Sequence, residues 1–382
     1  MLFKDIIGQE FIKKHLTASV DRGRIAHAQL FVGPSGSGVL PMAIAYAQYL
    51  VCANKNGENS GENAACNLKF ENLSHPDIHF AYPVATTDKV KSHPVSAHFA
   101  KEWREFVAST PYGNLYDWHQ HIGIEKKQGQ IGVDEALDIV KSLSLKSYEG
   151  GFKVMIIWMA DKMNIAASNK LLKLIEEPPN KTVFILLAEN DDQIIDTIKS
   201  RCQVLQFPPL GESAMQNALV KDHRCEPNLA QKIAHQANGD YTTALHILQK
   251  DGEEEQFETW FVAWVRTAFK ARGNKKAVID LISWSDSIAV LGRETQKSFL
   301  KYCEDFFRQA MLLNYKADSL VYLEPTTQFD LAKFAPFIHG NNILDIIQEL
   351  QDASYHIERN GNAKIVLTDL SIKLTRLLHA KK

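Results

Sequence analysis

Long hydrophobic runs are missing from this 382-residue sequence. No apolar stretch approaches the ~20 residues of a membrane-crossing helix; the longest, Ile44 to Ala53, is broken by Gln48. The opening MLFKDIIGQE lacks the charged-then-apolar order of a secretory leader, so a cytoplasmic setting is expected. Cysteine is sparse. Five residues, at 52, 66, 202, 225 and 303, are odd in number and scattered, which argues against a disulfide framework. An excess of charge is missing too: 43 Lys+Arg stand against 45 Asp+Glu, for a net charge of −2. A free-standing nucleic-acid binder usually carries a strongly basic domain, so any DNA contact here is expected to be local or shared with partners. No set of carboxylates is spaced for two metals, which leaves nuclease and polymerase chemistry without support. What is present is ordinary for a globular chain, 45% hydrophobic and 23% charged residues. The length allows about two or three domains at roughly 150 residues each.

The first half alternates strand and helix signals. Gln29–Val32, Val154–Met159, Val183–Ala188 and Val204–Phe207 are short, nearly continuous apolar runs, the pattern of parallel strands buried on both faces. Ile78–Val84 is a further candidate. Helices are expected at Pro41–Ala53, Val133–Ser144 and Ala166–Glu177, the last stopped by Pro178-Pro179. This alternation predicts a doubly wound parallel α/β domain over 1–207, with an insertion at about 85–130. After Pro208-Pro209 the strand signal ceases. Short helices are expected over 208–253, a small lid domain. Long amphipathic helices follow over 254–382: Gln256–Lys270, Lys276–Ser283, Ser298–Leu313, Ile343–His356 and Leu367–His379. Asn54–Ala65 is polar and rich in Gly, Asn and Glu, and reads as a loop.

The strongest local motif is Gly33-Pro34-Ser35-Gly36-Ser37-Gly38-Val39-Leu40, between an expected strand and an expected helix. Gly33 and Gly38 match the phosphate-cradling loop G-x-x-x-x-G-K-[ST] in its required context, with Gly36 between them. The lysine position is Val39 and the hydroxyl position is Leu40. Lysine neutralises the β- and γ-phosphates and the hydroxyl holds magnesium; two apolar side chains do neither. The loop therefore reads as a relic that has lost hydrolysis. A glycine-rich turn without that ancestry and a working ATPase are the alternatives. In working ATPases of this class the next strand ends in an Asp-Glu pair. Here Val154–Ile157 runs into Trp158-Met159, and Asp161 reads as an acid initiating the helix that follows.

Phe3–Glu10, Arg24–Phe31, the glycine loop, Asn169–Pro179 and Ser200-Arg201-Cys202, in that order, resemble the AAA+ clamp-loader subunits of bacterial DNA polymerase III. Tyr355–Asp369 is similar, more weakly, to the collar helices of that family. The resemblance implies an AAA+ fold with a helical collar. It implies assembly with delta and gamma/tau subunits into a hetero-pentamer that loads a sliding clamp onto primer–template DNA. It also implies that Arg201, flanked by Ser200 and Cys202, is an arginine finger presented to ATP on the neighbouring subunit. Physically, a guanidinium neutralises charge developing on a transferring phosphoryl group, worth about 10³–10⁵ in rate; the bland alternative is a local salt bridge. The family's strand-end sensor is absent unless Asn190 substitutes, and Thr242 stands where a middle-domain arginine contacts nucleotide.

With the altered loop, these departures imply a non-hydrolysing scaffold, or stator, that requires no cofactor. An active gamma/tau-like ATPase, and a sensor that binds ATP or ADP without turnover, are the competing readings. Family members carry a four-cysteine zinc module, but only Cys52 and Cys66 precede His75-Pro76-Asp77. Tetrahedral zinc needs four ligands, so the expectation is no metal and two free thiols, remnants of that module; recruiting His75 and His79 is the alternative. Cys225 and Cys303 read as ordinary helical-domain residues. In the insertion, Trp103, Tyr112, Tyr116 and Trp118 are expected to close a hydrophobic cluster, with base stacking as the sharper alternative. Lys126-Lys127 reads as a solvated turn, and Trp260/Trp264 as packing on one helix face.

Overall fold

The computed structural model describes residues 1–52, 64–125, 127–148, 151–249, 253–321, 323, 325, 327 and 329–380. They form two compact units, Met1–Ile124 with Gln128–Leu245, and His246–Lys382 with Glu125–Lys127. Helices 212–249 lie almost wholly within the first.

The first unit is built on a five-stranded parallel sheet: β1 Ala28–Val32, β2 Ile78–Ala81, β3 Lys153–Ile157, β4 Thr182–Ala188 and β5 Gln203–Gln206, in the order β2-β3-β4-β1-β5. Register sets Ala28 opposite Phe184, Gln29 opposite Gln203, and Ile78 opposite Val154. β1, β3 and β4 are buried along their whole length, as continuous apolar runs require. β5 departs from the expectation. It is an edge strand, largely exposed, with Gln203 and Gln206 at its ends and Val204 42% exposed. One neighbouring strand and polar ends keep it from the double burial that Val204–Phe207 suggests.

The helices of this unit are α1 Glu10–Asp21, α2 Val39–Cys52, α3 Ala64–Glu71, α4 Ala100–Ser109, α5 Leu115–His121, α6 Val133–Ser144, α7 Ile165–Glu176, α8 Asp196–Lys199, α9 Glu212–His223, α10 Pro227–Gln236 and α11 Tyr241–Gln249. α2 is apolar nearly all round and buried from Leu40 to Gln48, as befits a helix embedded against the sheet. Its buried polar groups are satisfied: Tyr46 Oη accepts from Gln29 Nε2 at 2.9 Å, and Gln48 Nε2 donates to Asn67 Oδ1 at 2.8 Å. The sequence stretch 54–65 falls outside the described residues up to 63, and its last two positions open α3.

The second unit is helical: α12 Glu253–Ala271, α13 Lys275–Ala289, α14 Arg293–Asn314, α15 Leu331–Phe334, α16 Ile343–Glu358 and α17 Ala363–Leu377. Phe261, Trp264, Phe299, Phe306 and Phe307 form the middle of its core. Trp264 stacks on Trp284 with centroids 5.0 Å apart and donates its indole N–H to Ser371 Oγ at 2.8 Å. Trp260 packs partly buried against the same core, so the i, i+4 tryptophans are packing residues. Among the described residues no helix is long and apolar enough to cross a membrane.

Candidate functional site

The glycine loop lies at the C-terminal end of β1, where parallel α/β sheets place their ligands. Gly36 and Gly38 hold left-handed backbone, with φ of +68° and +89°, which side chains other than glycine rarely adopt. Val39 and Leu40 are the first residues of α2, and Leu40 is buried. The cavity over the loop is lined by residues 33–41, 111–114, 158–159 and 187–189, and measures about 40 Å³. Small-molecule pockets run to roughly 300–1,000 Å³; this one has room for a few waters.

The insertion supplies one wall of this cavity. The Pro111–Asn114 turn lies over the loop, and a Cβ on Gly38 would stand 3.0 Å from Tyr112 Cε1. The Ile7 N–H donates to Tyr112 Oη at 2.8 Å, and the Thr242 hydroxyl donates to the Tyr112 carbonyl oxygen. The Tyr112 ring meets Tyr241 edge to face at 5.0 Å. Burial pushes the Tyr112 phenol up to about 12, so it keeps its proton. The sequence placed Tyr112 in an aromatic cluster and missed this position. Pro-Tyr-Gly-Asn before a helix signals a turn, but nothing in its spacing names the loop it covers. Thr242 is a lost sensor in sequence terms; its hydroxyl has another partner.

Trp103 and Trp118 do close a cluster. Trp103 stacks on Tyr82 at 4.1 Å, and Trp118 meets both edge-on at 5.1 and 5.3 Å. Trp158, where the metal-binding acid of an ATPase would stand, joins them at 5.2 Å from Trp103. Trp103 and Trp118 are fully buried and have no face to offer a base. Tyr116 is half-buried and its hydroxyl accepts from Gln120 Nε2 at 2.8 Å. Lys127 is exposed, and Lys126 lies outside the described residues.

Asp161 is not a helix initiator. It sits in a 3-10 turn, Ala160–Lys162, pairs with Lys162 at 3.0 Å, and is 8% exposed. The cap of α7 is Asn164, whose side chain accepts from the Ala167 N–H at 2.8 Å, three residues nearer the helix. Asn190 is turned to local work as well: its Oδ1 accepts from the Asp192 N–H at 2.9 Å, capping a 3-10 turn.

Arg201 follows Ser200, the C-cap of α8. Its Nη1 donates to the Thr197 carbonyl at 2.9 Å, and its Nε lies 3.3 Å from Glu176 Oε2 without hydrogen-bond alignment. The two side chains are 34% and 54% exposed. Ser200 donates its hydroxyl to the Thr197 carbonyl at 3.3 Å. Burial pushes the Cys202 thiol up to about 11, so it keeps its proton near neutrality.

The expectation of free thiols at Cys52 and Cys66 is corrected: the two form a disulfide, Cα atoms 5.8 Å apart, joining the end of α2 to α3. A separation of 14 residues with a polar run between carries no signal of this pairing; packing of α3 beside α2 produces it. Sulfurs bonded to each other offer zinc no thiolate, so these residues do not fit the metal module of the family. Cys202, Cys225 and Cys303 are free. Thiol titration of the denatured, unreduced chain is expected to count three groups, rising to five after reduction. Five before reduction would remove the bond.

The parallel sheet, in the order β2-β3-β4-β1-β5, and the glycine-rich loop that joins β1 to α2 define a three-layer α/β domain with a loop of the phosphate-cradling kind. The family model described as DNA polymerase III, delta subunit, matches residues 8–211, and the chain belongs to that family, in its delta-prime branch. The delta-prime subunit of Bacillus subtilis is 29% identical over 230 residues, 60% of this chain and 56% of that protein. The tau subunit of the same organism is 27% identical over 254 residues, 65% of this chain and 37% of that one. A gamma subunit-related protein of Thermotoga maritima aligns structurally over 96% of this chain and 99% of its own, at 12% identity and a TM-score of 0.44. The match thus spans little more than half the length of the delta-prime relative.

Proposed function

We propose that this chain is the non-hydrolysing stator of a DNA polymerase III clamp loader. Its C-terminal helices join a collar with delta and gamma/tau subunits in the cytoplasm. Arg201 reaches in trans to ATP on a neighbouring subunit, and the assembly loads a sliding clamp onto primer–template DNA. The energy comes from the partners' ATP.

One observation carries this reading: Val39 and Leu40 open the loop helix where lysine and a hydroxyl must stand for phosphate and magnesium. The small cavity above them supports it. The similarity to a tau subunit favours an active ATPase, but that chemistry requires the two side chains missing here. The test is equilibrium binding of ATP and ADP, with magnesium, to the full chain, with hydrolysis followed in the same sample. Neither binding nor turnover is expected. Tight binding without turnover would convert the reading to a sensor, and turnover that tracks the protein through purification would restore the ATPase.

A further inference from the structure

A phosphate-cradling loop without its phosphate has a structural deficit. In a nucleotide-bound fold of this kind the ligand neutralises the N–H groups that the loop turns inward, and it bridges the loop to whatever packs over it. Here the loop still packs tightly. A Cβ on Gly36 would run into Asp240 and the backbone of Tyr241, and the Tyr241 N–H donates to the Gly36 carbonyl at 3.3 Å. Gln9 donates to the carbonyls of Ser37 and Pro208, at 3.1 and 2.7 Å. Three segments therefore converge on one point: the N-terminal stretch, the glycine loop and the start of α11.

We propose that the Pro111–Asn114 turn is an internal ligand, occupying the nucleotide position with Tyr112 and tying these three segments together. This rests on the reading of the chain as a subunit without its own ATP site. Each part of Tyr112 holds a different segment. The phenol oxygen takes the Ile7 N–H, the ring lies on the bare Cα of Gly38, and the carbonyl takes the Thr242 hydroxyl. The turn is preorganised for the task. The Gly113 N–H donates to the Thr110 carbonyl at 2.8 Å, and a Cβ there would strike Phe106 at 2.7 Å. Asn114 caps α5 by accepting from the Asp117 N–H at 3.0 Å. A ligand held in place by its own chain loses little freedom on docking, which is why a tethered group can outcompete a diffusing one. The consequence is a subunit whose loop and α11 keep one arrangement whatever the nucleotide concentration, as a stator requires.

Amide hydrogen exchange on the full chain tests this. In Tyr112→Ala the amides of residues 6–9, 36–40 and 241–245 are expected to exchange about tenfold faster or more, with α14 and α16 unchanged as internal controls. Millimolar p-cresol, a free copy of the lost side chain, is expected to restore most of the protection by refilling the cavity. Tyr112→Phe keeps the ring and loses one bond, so its acceleration is confined to residues near Ile7. Thr242→Val loosens the start of α11. Should the alanine variant not fold, these two carry the test. Unchanged exchange at the loop and α11 overturns the proposal. So does acceleration shared equally by α14 and α16, or protection that p-cresol leaves unrestored. Nucleotide binding by the wild-type chain, measured separately, would overturn the stator reading and this proposal with it; changed exchange results alone leave the stator reading standing.

Discussion

Arg201→Ala is expected to silence one ATP site of the assembled complex, slowing hydrolysis there by about 10³-fold or more. On the proposed function the site belongs to a neighbour, so the readout is a count. Single-turnover phosphate release from the complex on primed DNA falls short by one site's share, while assembly, followed by gel filtration, is unaltered. In the free chain the guanidinium is folded back on the Thr197 carbonyl and Glu176. That resting position does not conflict with a role in trans. An exposed ion pair of this kind contributes about 0–1 kcal/mol, and a triphosphate offers several charge-assisted hydrogen bonds in its place. Glu176→Gln should therefore leave the count unchanged. Arg201→Lys should restore only part of the rate, because an ammonium on a flexible stem lacks the planar fork of donors. A full count of phosphate from the alanine complex would return Arg201 to a local salt bridge.

The sheet was legible wherever burial on both faces writes itself as an unbroken apolar run. β1, β3 and β4 fall within a residue or two of the runs around Leu30, Ile156 and Ile185. β5 shows the limit of that signal. Val204–Phe207 is as apolar as the others, but strand order is a long-range property, and only the outcome β2-β3-β4-β1-β5 leaves β5 on the edge. Helix α7 was placed correctly with the wrong cap, because Asp161 and Asn164 are both good capping residues and the intervening 3-10 turn leaves no composition signal.

Residues at the site divide along the same line. Val39 and Leu40 are read by their offset from Gly33 and Gly38, a local measure that survives folding. Tyr112 reaches Ile7 across 105 positions and Thr242 across 130. Contacts of that separation depend on which loops the sheet brings to one end, and a single sequence does not encode them in any short pattern. Glu135 carries a local signal of its burial. It precedes Ile139 and Leu143 at four-residue spacing, on the stripe that α6 buries.

Glu135 supplies the second large expected effect, a stability that falls as pH rises. The carboxyl is 2% exposed and accepts the Ser96 N–H at 2.6 Å. Burial pushes it from its ordinary 4.5 up to about 7, with the bonds from Ser96 opposing and the charge of Asp138 adding to the rise. A carboxyl raised in the folded state contributes stability that is complete below the unfolded value and is lost as pH climbs through the folded one. Between pH 5 and pH 8 the loss from this group is about 2–3 kcal/mol. Glu135→Gln keeps an oxygen for the Ser96 N–H and cannot ionise. The variant's stability relative to wild type, from denaturant midpoints, should therefore rise by about that amount across the same range; parallel curves would assign the slope elsewhere. The position matters because Ser96 begins the insertion's attachment. Its hydroxyl accepts the Tyr82 N–H at 2.9 Å, its carbonyl accepts the Tyr82 hydroxyl at 2.7 Å, and Trp118 donates to the Pro83 carbonyl at 2.8 Å. Ionising Glu135 weakens the end of the segment whose other end sets Tyr112 over the glycine loop. Loop protection in hydrogen exchange should therefore decline with pH in wild type more steeply than in Glu135→Gln, once the intrinsic base dependence of exchange is divided out.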